Sequence, residues 1–429
     1  MALTTEPTEN QTKRPLSEWP FSFLSSALNP WRGLSGLPRE VWLLFITNLV
    51  NRAGMMVLPF LVLYLTRELG FTAGQAGLIF AVYGATAIVT GPIAGRLSDR
   101  LGAVQVMRAS LVSSGLVLFA FSFARSYAAV VIATIGWSAC AEMFRPASYA
   151  ALTHVVPAAR LKPAFAVNRL AINLGMSIGP ALGGFLATVS FRSMFVVDGA
   201  TTIIAGLVLT FSSWRMMGDT APSQVSGGDR ESPRTIFHDR PFVIFLLASM
   251  LVCIVFFQHE AALPLYLVQW LHLSPAFYGM LFTINTLLIV ALEVPITTAT
   301  AHWSNTFASG VGCTLFAVGF GALAVVGSSA GVLATVVVWT FGEMLLFPAM
   351  SAHLGQIAPE NRRGVYMGAY TTSMSIALTI GPPLGTQILG AVGPVAVWTT
   401  MFALGALSAL LMVYAAPDRR SPAAVVAGS

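Results

Sequence analysis

The stretch Gly95-Arg-Leu-Ser-Asp99-Arg100-Leu-Gly102 decides the fold class of this chain. It lies between two long apolar runs, and it carries charges that hydrocarbon would not tolerate. We therefore predict a tight aqueous link between two membrane-spanning helices, in which Asp99 accepts hydrogen bonds from the free N–H groups of the following helix. The arginines of the stretch, together with Arg108, place this link on the cytoplasmic side.

The composition supports an all-α membrane protein. Of the 429 residues, 56% are hydrophobic and only 9% are charged, and the mean hydropathy is +0.76. Soluble domains contain roughly 25% charged residues, so no soluble fold fits. A helix of about 20 apolar residues crosses the roughly 30 Å of hydrocarbon in a bilayer. The twelve predicted transmembrane helices are 41–66, 74–97, 104–124, 128–153, 163–188, 192–214, 241–268, 275–298, 306–327, 330–354, 364–390 and 393–416.

Basic residues orient the predicted spans. With a cytoplasmic N-terminus, 18 of the 23 Lys and Arg residues fall on the cytoplasmic side. This bias predicts a multi-pass protein of the cell (inner) membrane with both termini inside. It also accounts for the net charge of +6, because the basic residues are scattered over short loops beside the lipid bilayer. A nucleic-acid partner would need a basic stripe, and we expect none.

An internal repeat predicts two pseudo-symmetric six-helix bundles. At an offset of 202 residues, Tyr64-Leu65 matches Tyr266-Leu267, Trp137 matches Trp339, and Gly179-Pro180 matches Gly381-Pro382. A polar Gly, Pro and Ser segment between the halves suits a flexible linker. The predicted layout is a cytoplasmic N-terminal tail at 1–40, bundles at 41–215 and 241–416, a cytoplasmic linker at 216–240 and a cytoplasmic C-terminal tail at 417–429.

The fifth predicted span carries a second motif, Gly175-Met-Ser-Ile-Gly179-Pro180-Ala-Leu-Gly183-Gly184. Glycines four residues apart make a smooth helix face that allows another helix to approach closely. Pro180 removes a backbone hydrogen bond and can bend the span. Gly381-Pro-Pro-Leu-Gly385 repeats part of the motif in the second half.

Both motifs resemble those of the major facilitator superfamily. The Gly95–Gly102 stretch is similar to its loop 2–3 signature, with Ala103 where the family usually has a basic residue, and the Gly175–Gly184 stretch is similar to the antiporter motif associated with exporters. The resemblance covers residues 41–416 and extends to the bacterial multidrug-efflux-like, drug:proton antiporter branch. It implies alternating access by two rocking halves. The gating positions that it implies are Gly95, Asp99, Arg100, Gly102, Gly175, Gly179, Pro180 and Gly183.

Charged residues inside the spans are the candidate functional side chains, since each costs at least about 2.5–3.5 kcal/mol near a helix centre. Those that we single out are Arg52, Glu142, Arg145, Glu260 and Glu343. They fall in the first, fourth, seventh and tenth spans, which line the central cavity in the family. The helical rise puts Arg52 and Glu142 at a similar depth and Glu260 nearer the outer mouth.

Two interpretations of Arg52, Glu142 and Arg145 remain open. Glu142 could simply neutralise one or both arginines, with Arg145 one turn along the same helix face. Alternatively, two arginines against one carboxylate leave a positive surplus for an anionic or zwitterionic substrate, because the arginine fork suits carboxylate and phosphate groups.

The remaining acids have separate predicted roles. Glu343 has no evident local partner, so we predict that it exchanges protons and couples transport to them. Glu260 beside His259 would form a second proton or substrate site or line a hydrated outer vestibule. We expect Glu293 to cap or contact the adjoining loop, and Asp198 to be an N-terminal acid of the sixth span.

The sequence favours a secondary transporter over other classes. Its only two lysines, Lys13 and Lys162, do not lie in a phosphate-binding loop, and no hydrolase motif is present, so we predict neither a pump nor an enzyme. The cysteines lie inside spans, and we expect no metal and no cofactor. We predict a monomeric, proton-coupled exporter of small organic or amphiphilic molecules. The alternatives are a proton-coupled importer of an organic anion and a non-transporting membrane sensor on the same fold.

Overall fold

The computed structural model describes residues 36–157, 160–212, 214, 239–359 and 362–415. Most of the predicted N-terminal tail and linker, and the C-terminal tail, lie outside these residues. The helices are α1 Arg39–Gly54, α2 Val57–Arg67, α3 Ala73–Leu101, α4 Ala103–Phe121, α5 Tyr127–Ala141, α6 Phe144–Val155, α7 Leu161–Val189, α8 Phe191–Phe211, α9 Arg240–Phe256, α10 Ala262–Leu265, α11 Pro275–Ala299, α12 Asn305–Ala322, α13 Ser329–Ile357, α14 Arg363–Ala391 and α15 Pro394–Tyr414.

All twelve predicted segments are helical, and ten of them, within the described ranges, are long and apolar enough to cross a membrane. The two that fall outside this group are α12 and α14. Helix α12 starts with polar residues and is rich in glycine, and α14 carries a run of Thr and Ser, so both are less apolar than their neighbours. The number twelve therefore stays a prediction.

Three of the spans are interrupted, although we predicted them to be continuous. The breaks separate α1 from α2, α5 from α6 and α9 from α10, and the last includes a 3₁₀ turn at Phe257–His259. A proline is the third residue after each break, and it has no N–H for the carbonyl four residues earlier. The prolines are Pro59, Pro146 and Pro264, and the carbonyls belong to Met55, Glu142 and Glu260.

The N-terminal and C-terminal parts of the chain pack along two seams, α3 against α14 and α7 against α11. We call the end with the α2–α3 turn outer and the end with the α3–α4 turn inner, following the charge bias. Tyr278 on α11 donates to the Pro59 carbonyl oxygen at 3.1 Å and to that of His259 at 2.9 Å, so it joins both parts near the outer end. Deeper in this seam, Thr283 donates to the Ser177 carbonyl oxygen at 2.8 Å.

Aromatic packing holds the second half of the broken first span. The Tyr64 ring lies 4.7 Å from that of Phe195, which stacks on Phe121 at 5.1 Å. All three side chains are buried. Aromatic pairs of this kind contribute about 0.5–1.5 kcal/mol beyond their burial, so they stabilise the packing of α2 on α8, which in turn packs on α4.

Candidate functional site

Arg52 lies in the last turn of α1, directly before the break. Its Nη1 is 2.9 Å from the Met55 sulfur, and its Nε is buried without a hydrogen-bond partner. A methyl group on Gly175 would lie 2.4 Å from the Arg52 Cβ, and one on Gly179 would lie 2.7 Å from the Arg52 carbonyl oxygen. The glycines of the α7 motif therefore allow α7 to press against the backbone that carries Arg52.

The C-terminal half repeats this contact. At the offset of 202 residues, Gly179 corresponds to Gly381 and Arg52 to Ile254. A methyl group on Gly381 would lie 3.2 Å from both the Cα and the carbonyl oxygen of Ile254. Gln258 follows this point and donates to the Gly381 carbonyl oxygen at 2.7 Å. Both glycine motifs thus pack against the end of an interrupted helix.

Asp198 fastens the start of α2. Its Oδ2 accepts hydrogen bonds from the backbone N–H groups of Met56 and Val57, both at 3.0 Å, and the Thr202 hydroxyl lies 3.4 Å from its Oδ1. The side chain is 3% exposed. We expected an acid at the start of the sixth span, and this was wrong, because α8 begins at Phe191 and places Asp198 about two turns further in. Its carboxylate instead caps another helix, where the helix dipole favours negative charge.

Glu142 lies at the break between α5 and α6. Its Oε1 accepts a hydrogen bond of 2.8 Å from the Tyr83 hydroxyl, and the Tyr83 ring packs edge-on against Trp137 at 5.1 Å. In the described part of the chain, neither Arg52 nor Arg145 has a nitrogen within 4.0 Å of a Glu142 oxygen. We expected one continuous helix with Arg145 one turn along from Glu142, and this was wrong because the helix is interrupted between the two residues.

The three candidate charges line one cavity of about 160 Å³. All of its lining residues come from α1, α2, α3, α4, α5, α6, α8 and the turns between them, so the cavity lies inside the N-terminal half. We expected these charges to line a cavity shared by both halves. The polar and charged lining residues are Asn51, Arg52, Tyr83, Ser110, Ser114, Glu142, Arg145, Asp198 and Thr202.

Asp198 changes the charge balance of this cavity. Two arginines and two carboxyls line it, so the positive surplus expected from Arg52, Arg145 and Glu142 is absent when both carboxyls are ionised. Arg52 also lies within electrostatic range of Asp198 and Glu260. The sequence could have indicated Asp198 as a further candidate, because this acid falls within the predicted span 192–214.

Glu343 on α13 has a partner that the sequence analysis missed. The Asn285 amide on α11 donates to Glu343 Oε2 and to Thr340 Oγ1, both at 3.0 Å. The partner comes from a neighbouring helix and is neutral, so looking for a basic residue in the same span could not find it. Asn285 is buried, and Glu343 is partly buried.

Glu260 follows the 3₁₀ turn of the seventh span and is 7% exposed. Its Oε1 lies 3.7 Å from His259 Nε2, and His259 Nδ1 lies 2.6 Å from the Phe256 carbonyl oxygen. The burial contradicts the hydrated outer vestibule that we considered for this residue. The acid lies beside the break between α9 and α10.

An ion pair joins the two halves towards the inner end. Arg169 on α7 contacts Glu293 on α11, and their side chains are 58% and 17% exposed. We expected Glu293 to contact the adjoining loop, and this was wrong because the side chain reaches α7. Arg169 lies within the predicted span 163–188, and a charged residue inside a span indicates that a partner lies on another helix.

The Gly95–Gly102 stretch is mainly helix. Helix α3 continues to Leu101, and Gly102 alone turns the chain with a φ of +87°. No side chain caps the start of α4, so the expected hydrogen bonds from Asp99 to that helix are absent. Asp99 and Arg100 are exposed at the inner end of α3.

Comparisons with known proteins agree with this architecture. The sequence model described as Major Facilitator Superfamily matches residues 43–274 and 260–429. The chain belongs to this family. A solved POT family transporter in complex with 5-aminolevulinic acid superposes with a TM-score of 0.76 at 15% identity, covering 90% of this chain and 98% of that one. This likeness shows the fold alone.

Several curated relatives are bacterial transporters. The uncharacterized MFS-type transporter YqjV of Bacillus subtilis is 26% identical over 381 residues, which is 87% of this chain and 93% of the relative. A Na⁺, Li⁺, K⁺/H⁺ antiporter of Planococcus maritimus is 22% identical over 78% of this chain and 85% of its own. The quinolone resistance protein NorA of Staphylococcus aureus is 24% identical over 55% of this chain and 61% of its own. The protein is therefore a membrane transporter similar to efflux and antiport proteins.

Proposed function

We propose that this protein is a proton-coupled exporter of small organic or amphiphilic molecules. It would work by alternating access, with twelve membrane-spanning helices in two six-helix halves and both termini in the cytoplasm. One observation carries the proton coupling: four carboxyls, Glu142, Asp198, Glu260 and Glu343, lie buried or partly buried inside the bundle. Within the described ranges, none of them has an Arg or Lys nitrogen within 4.0 Å.

The partners of these carboxyls support the proposal. Glu142 and Glu343 each accept a hydrogen bond from a neutral donor, Tyr83 and Asn285. A carboxyl that is fixed by a close cation stays charged, whereas one held by neutral groups in a desolvated site can gain and lose a proton. Intramembrane carboxyls of this kind commonly form proton relays in transporters.

Alternating access needs contacts between the halves that can open and close. Tyr278 provides one towards the outer end, since it bonds to Pro59 in the N-terminal half and to His259 in its own half. The Arg169–Glu293 pair provides one towards the inner end. In the proposed cycle, proton and substrate binding would favour the breaking of one contact while the other holds.

Export and small organic substrates draw support from the relatives. A quinolone resistance protein and a cation/proton antiporter match much of this chain. The alternative, an importer of an organic anion, rested on a surplus of positive charge near Arg52. Asp198 removes that surplus from the cavity, so the exporter is the better supported function.

Glu343 provides the direct test. We expect Glu343→Gln to abolish transport driven by a pH gradient in proteoliposomes, while binding and exchange of fluorescent amphiphilic cations remain. Glu68→Gln is the control, because Glu68 is an acid in an exposed ion pair with Arg125. Gradient-driven flux at the wild-type rate in Glu343→Gln would contradict proton coupling through this residue. If no amphiphile is transported by the wild-type protein, a sensor on the same fold becomes the better explanation.

A further inference from the structure

If Glu343 alone coupled transport to protons, the cavity in the N-terminal half would have no role. It holds about 160 Å³ between α1, α2, α3, α4, α5, α6 and α8. A cavity needs only about 10–15 Å³ of such volume to hold one water, so this cavity accommodates several waters. Glu142 and Asp198 both line it. A polar cavity of this size between two carboxyls is a medium through which a proton can pass.

Asp198 links that cavity to the break in the first span. One of its oxygens, Oδ2, is taken by the N–H groups of Met56 and Val57 at 3.0 Å. Among the residues that the structure describes, the other oxygen, Oδ1, has only the Thr202 hydroxyl at 3.4 Å, which is near the limit of a hydrogen bond. Oδ1 is therefore the oxygen with free capacity to accept a proton.

We propose that Asp198 is a second proton site of the transporter and that its protonation loosens the junction between α1 and α2. The inference rests on the proton coupling proposed above and adds a residue and a route to it. A proton leaves the Glu142 carboxyl, passes through the cavity waters and forms an O–H bond on Asp198 Oδ1. Glu142 becomes a carboxylate that keeps the Tyr83 hydroxyl as its donor, and Asp198 becomes neutral.

Neutralising Asp198 weakens two interactions at the junction. Hydrogen bonds to a charged acceptor are roughly twice as strong as those between neutral groups, so the N–H groups of Met56 and Val57 are held less firmly. The N-terminal end of α2 also loses the negative charge that its helix dipole favours. Arg52, in the last turn before the break, loses an electrostatic partner at the same time.

The other groups around Asp198 are consistent with a titrating role. Four other titratable or charged residues line the same cavity: Arg52 from α1, Tyr83 from α3, Glu142 from the α5–α6 junction and Arg145 from α6. The cavity-lining residues of α4 are uncharged. Helix α2 contributes its backbone N–H groups, and its Tyr64 packs on Phe195, one turn before Asp198. In the described residues, neither arginine forms an ion pair with Asp198 within 4.0 Å.

Hydrogen exchange of the protein in nanodiscs tests the proposal without a substrate. After correction for the chemical rate, we expect peptides covering Met56–Phe60 to exchange about fivefold to tenfold faster below neutral pH than above it. Asp198→Asn should exchange fast at both pH values, whereas Asp198→Glu, which can still titrate, should keep the response. Glu68→Gln, an exposed acid at the far end of α2, should behave as the wild type.

Two results would overturn the proposal: exchange in the wild type that does not depend on pH, or a pH response that survives in Asp198→Asn. If Asp198→Asn does not fold, the wild type and Asp198→Glu still decide the question. Pulse labelling after a pH jump tests the route, because Glu142→Gln should slow the change in hydrogen exchange that follows the jump. A change as fast as in the wild type would exclude a relay through Glu142. Since no flux is measured, failure here is distinguishable from failure of proton-coupled export.

Discussion

Tyr83 on α3 and Asn285 on α11 occupy equivalent positions 202 residues apart, and each donates a hydrogen bond to a carboxylate. Tyr83 holds Glu142 at 2.8 Å, and Asn285 holds Glu343 at 3.0 Å. The two acids are themselves 201 residues apart, one residue from the repeat. Each half thus contains a buried or partly buried acid held by a neutral donor from a neighbouring helix.

The first prediction isolates the hydrogen bond in the N-terminal half. Tyr83→Phe removes the hydroxyl and keeps the edge-on packing against Trp137, so Glu142 loses its donor. We expect a loss of about 1–2 kcal/mol in the free energy of unfolding and slower gradient-driven transport. Tyr149→Phe is the matched control, because Tyr149 is exposed and packs edge-on against Phe165. Equal effects of the two substitutions would mean that the bond to Glu142 contributes nothing.

The second prediction concerns the outer contact between the halves. Tyr278→Phe keeps the ring packing on Phe60 and Phe282 and removes the hydroxyl that bonds to Pro59 and His259. A loss of about 1 kcal/mol from the outward-closed state raises the population of the outward-open state about fivefold.

Thiol labelling measures this change. A cysteine at Ala276, which lies against Gly184 across the seam, should be labelled faster in Tyr278→Phe than in the unaltered background. Tyr127→Phe, at the same end of the molecule and packed on Phe71, is the control. Identical labelling rates in all three proteins would show that Tyr278 does not hold the outer end closed.

The third prediction concerns the Arg169–Glu293 pair. A double-mutant cycle of Arg169→Gln and Glu293→Gln should give a coupling free energy of about 1 kcal/mol, since Glu293 is mostly buried. The same cycle at Arg125 and Glu68 should give a value near zero, because that pair is 3.8 Å apart and both side chains are exposed. Chemical unfolding provides the free energies, and coupling below that of the control pair would rule out a gate at this position.

The fourth prediction addresses the α3–α4 turn, whose gating role stays a prediction. Asp99 is exposed and does not cap α4, so Asp99→Asn should leave the folded yield near normal. If Asp99 stabilises one arrangement of the halves, spin-label distances between the inner ends of α3 and α14 should broaden or shift in the variant, and transport should fall. Distances identical to those of the wild type would leave the stretch only the role of a turn.

The sequence predicted the helices well and the interruptions poorly, for a physical reason. Hydropathy and helical periodicity detect apolar stretches that are long enough to form a spanning helix, and every predicted segment is helical. The breaks depend on a proline three residues into the following helix, and the same residue type is accommodated in a continuous α3, α7 or α13 at Pro92, Pro180 and Pro348. Proline alone does not reveal whether neighbouring helices satisfy the freed carbonyl.

The candidate site was predicted in part for a similar reason. The sequence identified Arg52, Glu142 and Arg145, which do line one cavity. The sequence does not reveal how each helix is rotated about its axis. That rotation places the three side chains in a cavity within the N-terminal half and brings Asp198 into the same cavity. The Asn285–Glu343 bond and the Arg169–Glu293 pair likewise join distant segments, and only the packing of the helices brings these residues together.

The last prediction concerns the glycine motif of α7 and its contact with the broken first span. A methyl group on Gly179 would lie 2.7 Å from the Arg52 carbonyl oxygen and 2.9 Å from that of Met55. Both neighbours are backbone atoms that cannot rotate away, so Gly179→Ala must separate α7 from α1. We expect a loss of about 1–3 kcal/mol in the free energy of unfolding.

Gly91 on α3 offers a matched control for Gly179→Ala, because it is also a helix-interior glycine that precedes a proline. Apart from its chain neighbours and the backbone of its own helix, a methyl group there would meet no described atom within 4 Å. Gly91→Ala should destabilise the protein less than Gly179→Ala, since any strain from a side chain before proline is common to both variants. Thermal unfolding of the two purified variants compares them directly. If Gly179→Ala proved as stable as Gly91→Ala, close packing at the α1–α2 break would not be what the motif provides. A stable but inactive Gly179→Ala would instead assign the motif to movement of that junction during transport.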